Sequence, residues 1–388
     1  MPSVCMISSK KNTAETTLIV GGGPAGCLLA LELHHRGLPS LLLDARAAGA
    51  PLPERTLALS WLTIQTLLRH QVIQHDVLTP IEHIQITQHN SFGNLRLTAQ
   101  EAGVEALGYT MRYSTLLNAL ENALKERDIP LRQGIRIRDI GCSASWGIAF
   151  DDSDQLWSSH ALVLAEGGTL KPKGWKYHDY HYSQSAWMAT LPISTHGVAY
   201  ERFTERGVLA LLPAEVGCTL IFSLDKTHEE QWLTLSKQEQ DQWLAKQCPP
   251  AIEWSSNWKH TVLVPLRFQA LRSEVKPPLW VIGNAAQILH PVAGLGFNLG
   301  VRDVLDTASS LHQFFRPSIT LSGSHANTVK PIGRELDRRW IQSLSHNLAR
   351  WGHYDTPAWK CLRTLGLATV QVTPPLKSAL LQSLIWGF

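Results

Sequence analysis

The apolar and polar positions at the start of the chain predict a strand, a tight turn, a helix and a second strand. Thr16 to Val20 is a run of β-branched and apolar residues, which favours a strand. The segment CLLALELHH follows a glycine-rich turn, carries a helical pattern and stops at Gly37. The residues LLLD, ending at Asp44, predict a second strand. Together these elements have the length of one βαβ unit.

Alternating and helical patterns continue along the rest of the chain. Glu82 to Thr98 alternates around an Asn/Ser/Gly turn, which predicts paired strands. Arg316 to Pro331, rich in Ser, Thr, Pro and Gly, is the most linker-like segment, and the residues after it form a helical pattern. The other predicted elements are a β-rich stretch from about Trp187 to Leu224, the strands ALVLAEGG and PLWVIGN, and helices over Tyr113 to Lys125, His228 to Gln247 and about Asn298 to Phe315.

Size, charge and cysteine usage narrow the class of protein. A chain of 388 residues with 44% hydrophobic residues predicts one or two closely joined domains. The net charge of +3 comes from scattered Lys and Arg, which argues against a nucleic-acid partner. The six cysteines contain no CxxC pair, so neither a metal site nor a disulfide framework is predicted, and the cytoplasm is the simplest location.

Neither end of the chain predicts a transmembrane segment. Residues 1–15 are polar and lack the apolar centre of a signal peptide, so we expect a loose leader. At the other end, LKSALLQSLIWGF places Leu376, Leu380, Leu384 and Ile385 on one helical face. We expect this helix to pack on the protein. Contact with a membrane surface, and hence a location peripheral to the inner membrane, is the alternative.

The turn GGGPAG after the first strand is a candidate cofactor site. Gly21, Gly23 and Gly26 satisfy G-x-G-x-x-G between a strand and a helix. In this pattern one glycine makes the tight turn, one lets the backbone approach a pyrophosphate, and one lets helix and strand pack. The helix N-terminus offers amides and partial positive charge to the phosphates. Pro24, followed by Ala25, occupies the first helical turn without removing a needed donor.

Asp44 adds a ribose contact to this candidate site. It ends the second strand, where a carboxylate can accept hydrogen bonds from the adenosine ribose hydroxyls and disfavours a 2′-phosphate. On this unit alone, FAD and NAD are equal candidates.

A second motif near residue 280 distinguishes these cofactors. VIGNAAQILHPVAGLGFNLGVRD reads as a strand, a polar strand end, a glycine turn and a helix. With GGGPAG and AEGG, it resembles the third FAD motif of the aromatic-ring flavin hydroxylases, G-D-A-A-H followed by P-x-x-G-Q-G-x-N-x-x-x-x-D. The resemblance implies that Asn284 meets the ribityl hydroxyls and that helix-start amides face the flavin pyrimidine edge. These amides follow Pro291 and belong to Gly294, Leu295, Gly296, Phe297 and Asn298.

Other segments extend the resemblance over almost the whole chain. ERTLALS is similar to the family's D-x-R-x-x-A-L-S, which implies that Arg55 contacts FAD, and Arg112 occupies a region of flavin contact. Three departures from the family pattern matter. Leu295 replaces the usual Gln but retains its backbone amide, Glu166 replaces the Asp of A-D-G, and the Ser and Arg that normally follow that Asp are absent.

The resemblance implies an α/β fold of the p-hydroxybenzoate-hydroxylase type. A Rossmann-like FAD-binding domain would carry an inserted β-rich substrate domain and be followed by C-terminal helices. The expected segments are 16–80, 109–180 and 265–316 for the FAD-binding domain, 81–108 and 181–264 for the substrate domain, and 317–388 for the helical region.

The resemblance also implies a reaction. AYERFTERGVLALLPA and LRTLGLATVQVTPPLK look like segments of the ubiquinone-biosynthesis branch, and GNAAQ with LHPVAG resembles its 2-polyprenyl-6-methoxyphenol hydroxylases. The implied reaction converts 2-polyprenyl-6-methoxyphenol to 2-polyprenyl-6-methoxy-1,4-benzoquinol. FAD would be the bound cofactor, NAD(P)H the transient reductant and dioxygen the oxidant. Other ubiquinone-biosynthesis proteins are expected as further partners. The alternatives are a low-activity flavoprotein scaffold of a quinone-biosynthesis complex, a halogenase and an isoprenoid reductase.

The sequence identifies no catalytic acid or base. His178 and His181, in YHDYHY, could bind a phenol or a metal, but a structural role is favoured among seventeen scattered histidines. His290 lies closer to the expected flavin by motif position and could simply cap its turn.

The β-rich stretch is the candidate wall of a substrate pocket. The expected wall contains Trp187, Tyr200, Phe203 and Leu209 to Leu212. An ordinary sheet core is equally compatible with these residues.

Overall fold

The computed structural model describes residues 16–143, 145–250, 252–291, 294–316, 332–352 and 356–386. The leader expected over residues 1–15 and nearly all of the linker expected from Arg316 to Pro331 lie outside these residues.

The predicted order of strands and helices is largely found. The strands are β1 (Thr17–Val20), β2 (Ser40–Asp44), β3 (Thr56–Ser60), β4 (Thr79–Ile81), β5 (His83–Gln88), β6 (Asn94–Thr98), β7 (Gly108–Arg112), β8 (Leu131–Gln133), β9 (Ile137–Cys142), β10 (Gly147–Asp151), β11 (Leu156–Ser159), β12 (Ala161–Leu164), β13 (Tyr177–Leu191), β14 (Val198–Phe203), β15 (Gly207–Pro213), β16 (Cys218–Asp225), β17 (Lys259–Leu271), β18 (Leu279–Val281) and β19 (Gln287–Ile288). The α-helices are α1 (Pro24–His35), α2 (Trp61–Arg69), α3 (Ala99–Ala102), α4 (Tyr113–Glu126), α5 (Lys226–Thr234), α6 (Lys237–Gln247), α7 (Leu295–Phe315), α8 (Ile332–Gly352), α9 (Pro357–Val372) and α10 (Pro374–Ile385).

A parallel sheet of order β18-β12-β1-β2-β8 forms the centre of the first unit. β1 and β12 are buried along their whole length, which explains their uninterrupted apolar sequences. Helices α1, α4 and α7 pack on one face through residues such as Leu28, Leu120 and Val304. The antiparallel strands β9, β10 and β11 cover the other face, where Trp157 is buried. This α/β unit corresponds to the expected FAD-binding domain.

A second sheet of order β19-β17-β13-β16-β15-β14-β5-β6 forms the other unit. Its outer face is covered by α5 and α6, and Trp187, Phe222 and Trp232 pack there. Its inner face looks toward the first unit. A small sheet of β3, β7 and β4 lies between the two, where the Thr56 and Thr219 hydroxyls are 2.7 Å apart. The expected α/β fold with a β-rich second unit is confirmed.

The second sheet extends beyond the expected substrate segments. Segment 81–108 contributes β5 and β6, as expected, but β13 begins at Tyr177 and β17 continues to Leu271. These two long strands pair with each other over nearly their whole lengths. The boundaries expected near residues 180 and 264 therefore fall inside continuous strands, because long-range pairing decides where each strand ends.

The polar segment from His228 to Gln247 forms two helices instead of one. Ser236 interrupts it, because its side chain accepts a hydrogen bond from the Glu239 amide while the Glu239 carboxylate accepts one from the Ser236 amide. This reciprocal capping starts α6.

The C-terminal helices pack across both units. Buried ion pairs join α7 to α8, with Arg302 to Asp337 at 2.8 Å and Arg334 to Asp303 at 2.6 Å. Helix α10 packs against β6, where its Ile385 is buried. The packed C-terminal helix expected from the sequence is thus present. Phe388 lies outside the described residues.

Candidate active site

The turn between β1 and α1 shows what each of the three glycines of its G-x-G-x-x-G pattern does. A Cβ at Gly21 would lie 2.4 Å from the carbonyl oxygen of Ala165, and a Cβ at Gly26 would lie 2.0 Å from that of Gly21. A Cβ at Gly23 would meet no atom within 4 Å, and Gly23, Pro24 and Ala25 line a large cavity. Close packing therefore requires glycine at the first and third positions. The second leaves open space for a pyrophosphate at the start of α1.

Asp44 lines the same cavity at the end of β2. Its Oδ1 accepts a hydrogen bond from the Arg46 amide at 3.1 Å, and its Oδ2 lies 3.4 Å from Arg46 Nη2. A carboxylate has about four acceptor positions, so sites for ribose hydroxyls remain. Arg46 also lines the cavity and pairs with Glu121. It was missed at the sequence level, although its place two residues after a strand-end carboxylate is a usable signal.

Of the two arginines expected near the flavin, the structure brings only one to the cavity. Arg55 lines it and lies over the ring of Tyr113, 4.5 Å from the ring centroid. Arg112 is not among the lining residues. It is the exposed last residue of β7, with its Nε 3.8 Å from a carboxylate oxygen of Glu215.

Asn284 and the N-terminus of α7 form the opposite wall of this part of the cavity. Asn284 is exposed toward it within the short 3-10 helix Gly283–Ala285. Gly294 precedes α7 with a φ of 60°, and a Cβ there would lie 2.8 Å from the Cβ of Ala58. The amides of a first helical turn have no partner within their own helix and carry partial positive charge. The predicted residues that line the cavity here are Asn284, Pro291, Gly294, Leu295, Gly296, Phe297 and Asn298.

The Asn298 side chain is a clamp between α7 and the β3–α2 segment. Its Oδ1 accepts hydrogen bonds from the Ser60 amide and the Thr63 hydroxyl, both at 2.8 Å. Its Nδ2 donates to the carbonyl oxygens of Ala58 and Gly294, both at 3.0 Å. The amide therefore has four partners and holds the start of α7 in place, a role that the motif did not predict.

Glu166 folds back on its own turn. Its carboxylate accepts hydrogen bonds from the Gly168 amide at 2.9 Å and from the Thr169 amide at 3.0 Å. Glu166 still lines the cavity, but these hydrogen bonds stabilise the turn after β12.

The cavity continues from this polar end into an apolar compartment. Its volume is about 1480 Å³, larger than the roughly 300–1,000 Å³ of typical small-molecule sites. The apolar part lies between the inner face of the second sheet and helices α9 and α10. Representative lining residues are Ile84, Leu97, Met188, Leu212, Leu367 and Leu380.

Only some of the residues predicted for the substrate wall line the cavity. Phe203, Ala210 and Leu212 line the cavity, whereas Trp187 and Leu211 belong to the outer core under α5 and α6. Successive residues of a strand face opposite sides of a sheet, so a continuous stretch cannot lie on one wall. Glu201, between the cavity-lining Ala199 and Phe203, was missed. The alternation in AYERF was the available signal.

The histidines divide into two groups. His178 and His181 are exposed and do not line the cavity, and no metal-binding cluster occurs in the described ranges. His290 is buried and lines the cavity, with its ring 5.2 Å from that of Tyr182. The Tyr182 hydroxyl lies 2.9 Å from Nδ1 of His346.

Taken together, these residues fit FAD. The open glycine position, the Asp44 carboxylate, Asn284 and the start of α7 all line this cavity, and together they offer groups suited to the pyrophosphate, ribose, ribityl and flavin parts of FAD. No helix in the part of the chain that the structure describes is long and apolar enough to cross a membrane.

Comparison with known families identifies the cofactor domain. Residues 14–137 match the FAD binding domain family. The fold matches p-nitrophenol 4-monooxygenase PnpA from Pseudomonas putida DLL-E4 with a TM-score of 0.73 and 16% identity, over 95% of this chain and 98% of that one. It matches the flavin-dependent brominase Bmp2 with a TM-score of 0.68 and 14% identity, over 95% and 92%. Residues 14–137 thus match an FAD-binding domain, and the chain has the fold of these flavin-dependent enzymes.

Several relatives of the chain are enzymes of ubiquinone biosynthesis. The chain is 22% identical to the mitochondrial ubiquinone biosynthesis monooxygenase COQ6 of Rattus norvegicus, over 96% of this chain and 91% of the relative. It is 25% identical to the ubiquinone hydroxylase UbiL of Rhodospirillum rubrum, over 96% of this chain and 89% of the relative. The expected FAD cofactor is supported by the matched domain, and the expected resemblance to ubiquinone-biosynthesis hydroxylases is found.

Proposed function

We propose that this enzyme hydroxylates the phenol ring of a polyprenylated ubiquinone precursor. The substrate we favour is 2-polyprenyl-6-methoxyphenol, and the product is 2-polyprenyl-6-methoxy-1,4-benzoquinol. The ubiquinone hydroxylases among its relatives support the pathway. The GNAAQ and LHPVAG segments support the particular step.

The observation that carries this proposal is the continuity of the cavity. One end is lined by Gly23, Asp44 and Asn284, and the other by the apolar inner face of the second sheet and helix α9. A dinucleotide cofactor at the first end leaves an apolar compartment beside its reactive end. This compartment suits a phenol with a long hydrocarbon tail, because burying each CH₂ group contributes about 0.8 kcal/mol.

The residues at the polar end bind and orient the cofactor. Gly23 leaves room for the pyrophosphate, and Asp44 accepts hydrogen bonds from the ribose hydroxyls. Asn284 would contact the ribityl chain. When bound, FAD takes two electrons from NAD(P)H and uses them to activate dioxygen. The α7 amides at Leu295 to Phe297 stabilise negative charge at the flavin pyrimidine edge.

The apolar end holds the ring and excludes water. Met188, Ala199 and Leu212 line the sheet wall, and Leu367 with Val370 lines the α9 wall. Such a lining protects an oxidising site from hydrolytic side reactions. It also confines the phenol to a few orientations, which raises the effective concentration of its reacting carbon.

A labelled-oxygen assay tests the proposal. The FAD-loaded enzyme is incubated with NADPH, ¹⁸O₂ and a short-tailed 2-prenyl-6-methoxyphenol, and the product is identified by mass spectrometry. We expect one ¹⁸O atom in a benzoquinol, together with faster NADPH oxidation when the phenol is present. Gly23→Val is the matched control, because it leaves the apolar compartment intact while blocking the pyrophosphate position.

Other outcomes identify the competing functions. An enzyme that binds FAD but never turns over, with reduction unaffected by any phenol, would support the scaffold alternative. A halogenated product in the presence of bromide would support a halogenase, and saturation of the prenyl double bonds would support an isoprenoid reductase. In cells lacking the protein, accumulation of 2-polyprenyl-6-methoxyphenol would support the favoured step, and another accumulated phenol would reassign it.

A further inference from the structure

Glu201 is the acidic residue on the inner face of the second sheet that lines the apolar compartment. It lies in the middle of β14, where it pairs with Ile86 of β5 and Ala210 of β15. Its neighbours on the same face of its own strand are Ala199 and Phe203. The carboxylate is thus surrounded by apolar groups from three strands.

The Glu201 carboxylate has no hydrogen bond or ion pair within the described part of the chain. Its side chain is only partly buried, since one side faces the cavity. Burial of a polar group without a partner is costly, so such a group in a natural protein requires an explanation. A ligand in the cavity is the available source of a hydrogen-bond donor.

Desolvation by the surrounding protein raises the pKa of Glu201 from 4.5 to about 7. No charged neighbour opposes this shift. Arg202 faces the other side of the sheet, and Arg96 on β6 is exposed. The charged side chain from α9 is Arg363, which donates to Gln88 Oε1 at 2.8 Å and lies over the Phe203 ring. On β17, Arg267 lines the cavity. The adjacent β15 contains no charged residue, and the residues of β16 that line the cavity, Ile221 and Ser223, are uncharged.

We propose that Glu201 is the catalytic base that accepts the hydroxyl proton of the phenol substrate. This inference rests on the proposed function and deepens it, because it assigns the acid–base residue that the sequence did not identify. An acid–base group is most effective when its pKa lies near the operating pH.

The proton transfers balance as follows. As the new C–O bond forms at the ring, the phenol O–H bond breaks toward Glu201 and its electron pair enters the ring. This leaves a ring ketone with a hydrogen and the new hydroxyl on the attacked carbon. That carbon then loses its hydrogen as a proton, and Glu201 returns its own proton to the ketone oxygen, which restores an aromatic diol. The inserted oxygen comes from dioxygen, and NAD(P)H supplies the two electrons that reduce the second oxygen atom to water.

A binding experiment tests the contact independently of turnover. The oxidised, FAD-loaded enzyme is titrated with a short-tailed 2-prenyl-6-methoxyphenol and with its methyl ether, which lacks the donor hydroxyl. At pH 8, we expect wild type to prefer the phenol by about tenfold or more, as for hydrogen bonds to charged groups. The preference should fall as the pH is lowered through about 7. Glu201→Leu should abolish it, and Glu201→Gln should make it independent of pH.

A kinetic experiment tests the proton transfer. In wild type, log kcat/KM should rise with pH up to about 7 and then level off. Glu201→Gln should lower kcat by about 10²- to 10⁴-fold, the usual contribution of general acid–base catalysis, and remove this acid limb. Glu201→Asp should recover part of the rate and part of the rise of log kcat/KM with pH. Glu205→Gln, an exposed residue of the same hairpin, is the matched control and should behave as wild type.

The outcomes separate this inference from the proposed function. If wild type hydroxylates the phenol while Glu201→Gln keeps its rate, acid limb and phenol preference, the Glu201 assignment alone is overturned. If wild type hydroxylates no phenol and does not distinguish phenol from ether, both proposals fail. Unchanged FAD content and melting temperature in Glu201→Gln, combined with loss of the preference and the limb, would support the assignment.

Discussion

The side-chain oxygen of Asn298 accepts a hydrogen bond from the backbone amide of Ser60 across 2.8 Å. These two residues are far apart in the sequence, yet this contact fixes the start of α7 against the end of β3. The positive end of α7 is thereby held at the cavity, in the position expected for the flavin ring. We therefore expect Asn298 to affect cofactor binding through the helix that it anchors.

Replacement of Asn298 by alanine should therefore impair both stability and cofactor binding. The change leaves the Ser60 amide and the Ala58 carbonyl without their partner, and we expect a loss of about 2–4 kcal/mol in the free energy of unfolding. FAD affinity should fall as well, because the α7 amides are no longer held in place. Urea denaturation of the apoprotein and a flavin fluorescence titration measure the two effects.

Asn347→Ala is the matched control for this prediction. Asn347 is partly exposed and makes an exposed hydrogen bond to Ser343 one helical turn away, so its removal should leave both measurements within about 0.5 kcal/mol of wild type. An Asn298→Ala protein as stable as this control would contradict the clamp.

The glycines of the first turn should separate folding from cofactor binding. Gly26→Ala places a Cβ 2.0 Å from the Gly21 carbonyl oxygen, so it should destabilise the apoprotein by about 1–3 kcal/mol. Gly23→Val projects into open space from an extended backbone, so the apoprotein should fold normally. Its FAD affinity should nevertheless fall about 100-fold, because the side chain occupies the pyrophosphate position.

Measurement of both quantities on both variants decides this prediction. Apoprotein unfolding curves should show the larger loss of stability in Gly26→Ala. FAD dissociation constants should show the larger loss of affinity in Gly23→Val. Equal loss of FAD affinity without a stability difference would mean that Gly26 does not make the predicted close contact.

Glu201 should make stability fall as the pH rises through the neutral range. Its pKa is raised to about 7 in the folded protein, so between pH 4.5 and 7 the unfolded chain loses this proton before the folded one does. The contribution of protonated Glu201 to the free energy of unfolding is complete below pH 4.5 and is lost as the pH rises through about 7. Glu201→Gln should therefore be more stable than wild type at pH 8, by on the order of 1–3 kcal/mol, and similar to it at pH 5.

Thermal unfolding of the two apoproteins across this pH range provides the measurement. The same comparison with Glu205→Gln should show no pH-dependent difference. A wild type that matches Glu201→Gln at every pH would show that the carboxylate is well solvated in the folded protein, which would also weaken its assignment as a base.

Gly366 should control the length of tail that the apolar compartment accepts. It lies on the cavity-facing side of α9, and a Cβ there would meet no atom within 4 Å. Gly366→Leu fills part of the compartment, and we expect KM to rise at least tenfold for long-tailed phenols and little for a phenol with a single prenyl unit. Leucine is also a better helix former than glycine, so the melting temperature should not fall.

Ala368→Leu is the control for this substitution. Ala368 is exposed on α9 and is not a lining residue, so the same added side chain should leave all KM values unchanged. An equal rise in KM for short and long tails in Gly366→Leu would contradict the assignment of α9 to the tail.

Much of the cofactor end could be predicted from the sequence, because its signals are local. Gly21 and Gly26 are needed for backbone approaches within one strand–turn–helix segment, and Asp44 ends the strand that follows. The segment from Asn284 to Asn298 could likewise be assigned from its own pattern. Each of these features depends on neighbours close in the chain.

The tertiary structure decided the rest, because it depends on contacts between distant segments. Strand pairing placed Phe203 on the cavity and Trp187 in the outer core. The environment of Glu201 is made by Ile86 and Ala210, which come from separate strands. The sequence alone shows that Glu201 lies between apolar residues at every second position of its strand. Only the assembled sheet removes water from around it and raises its pKa.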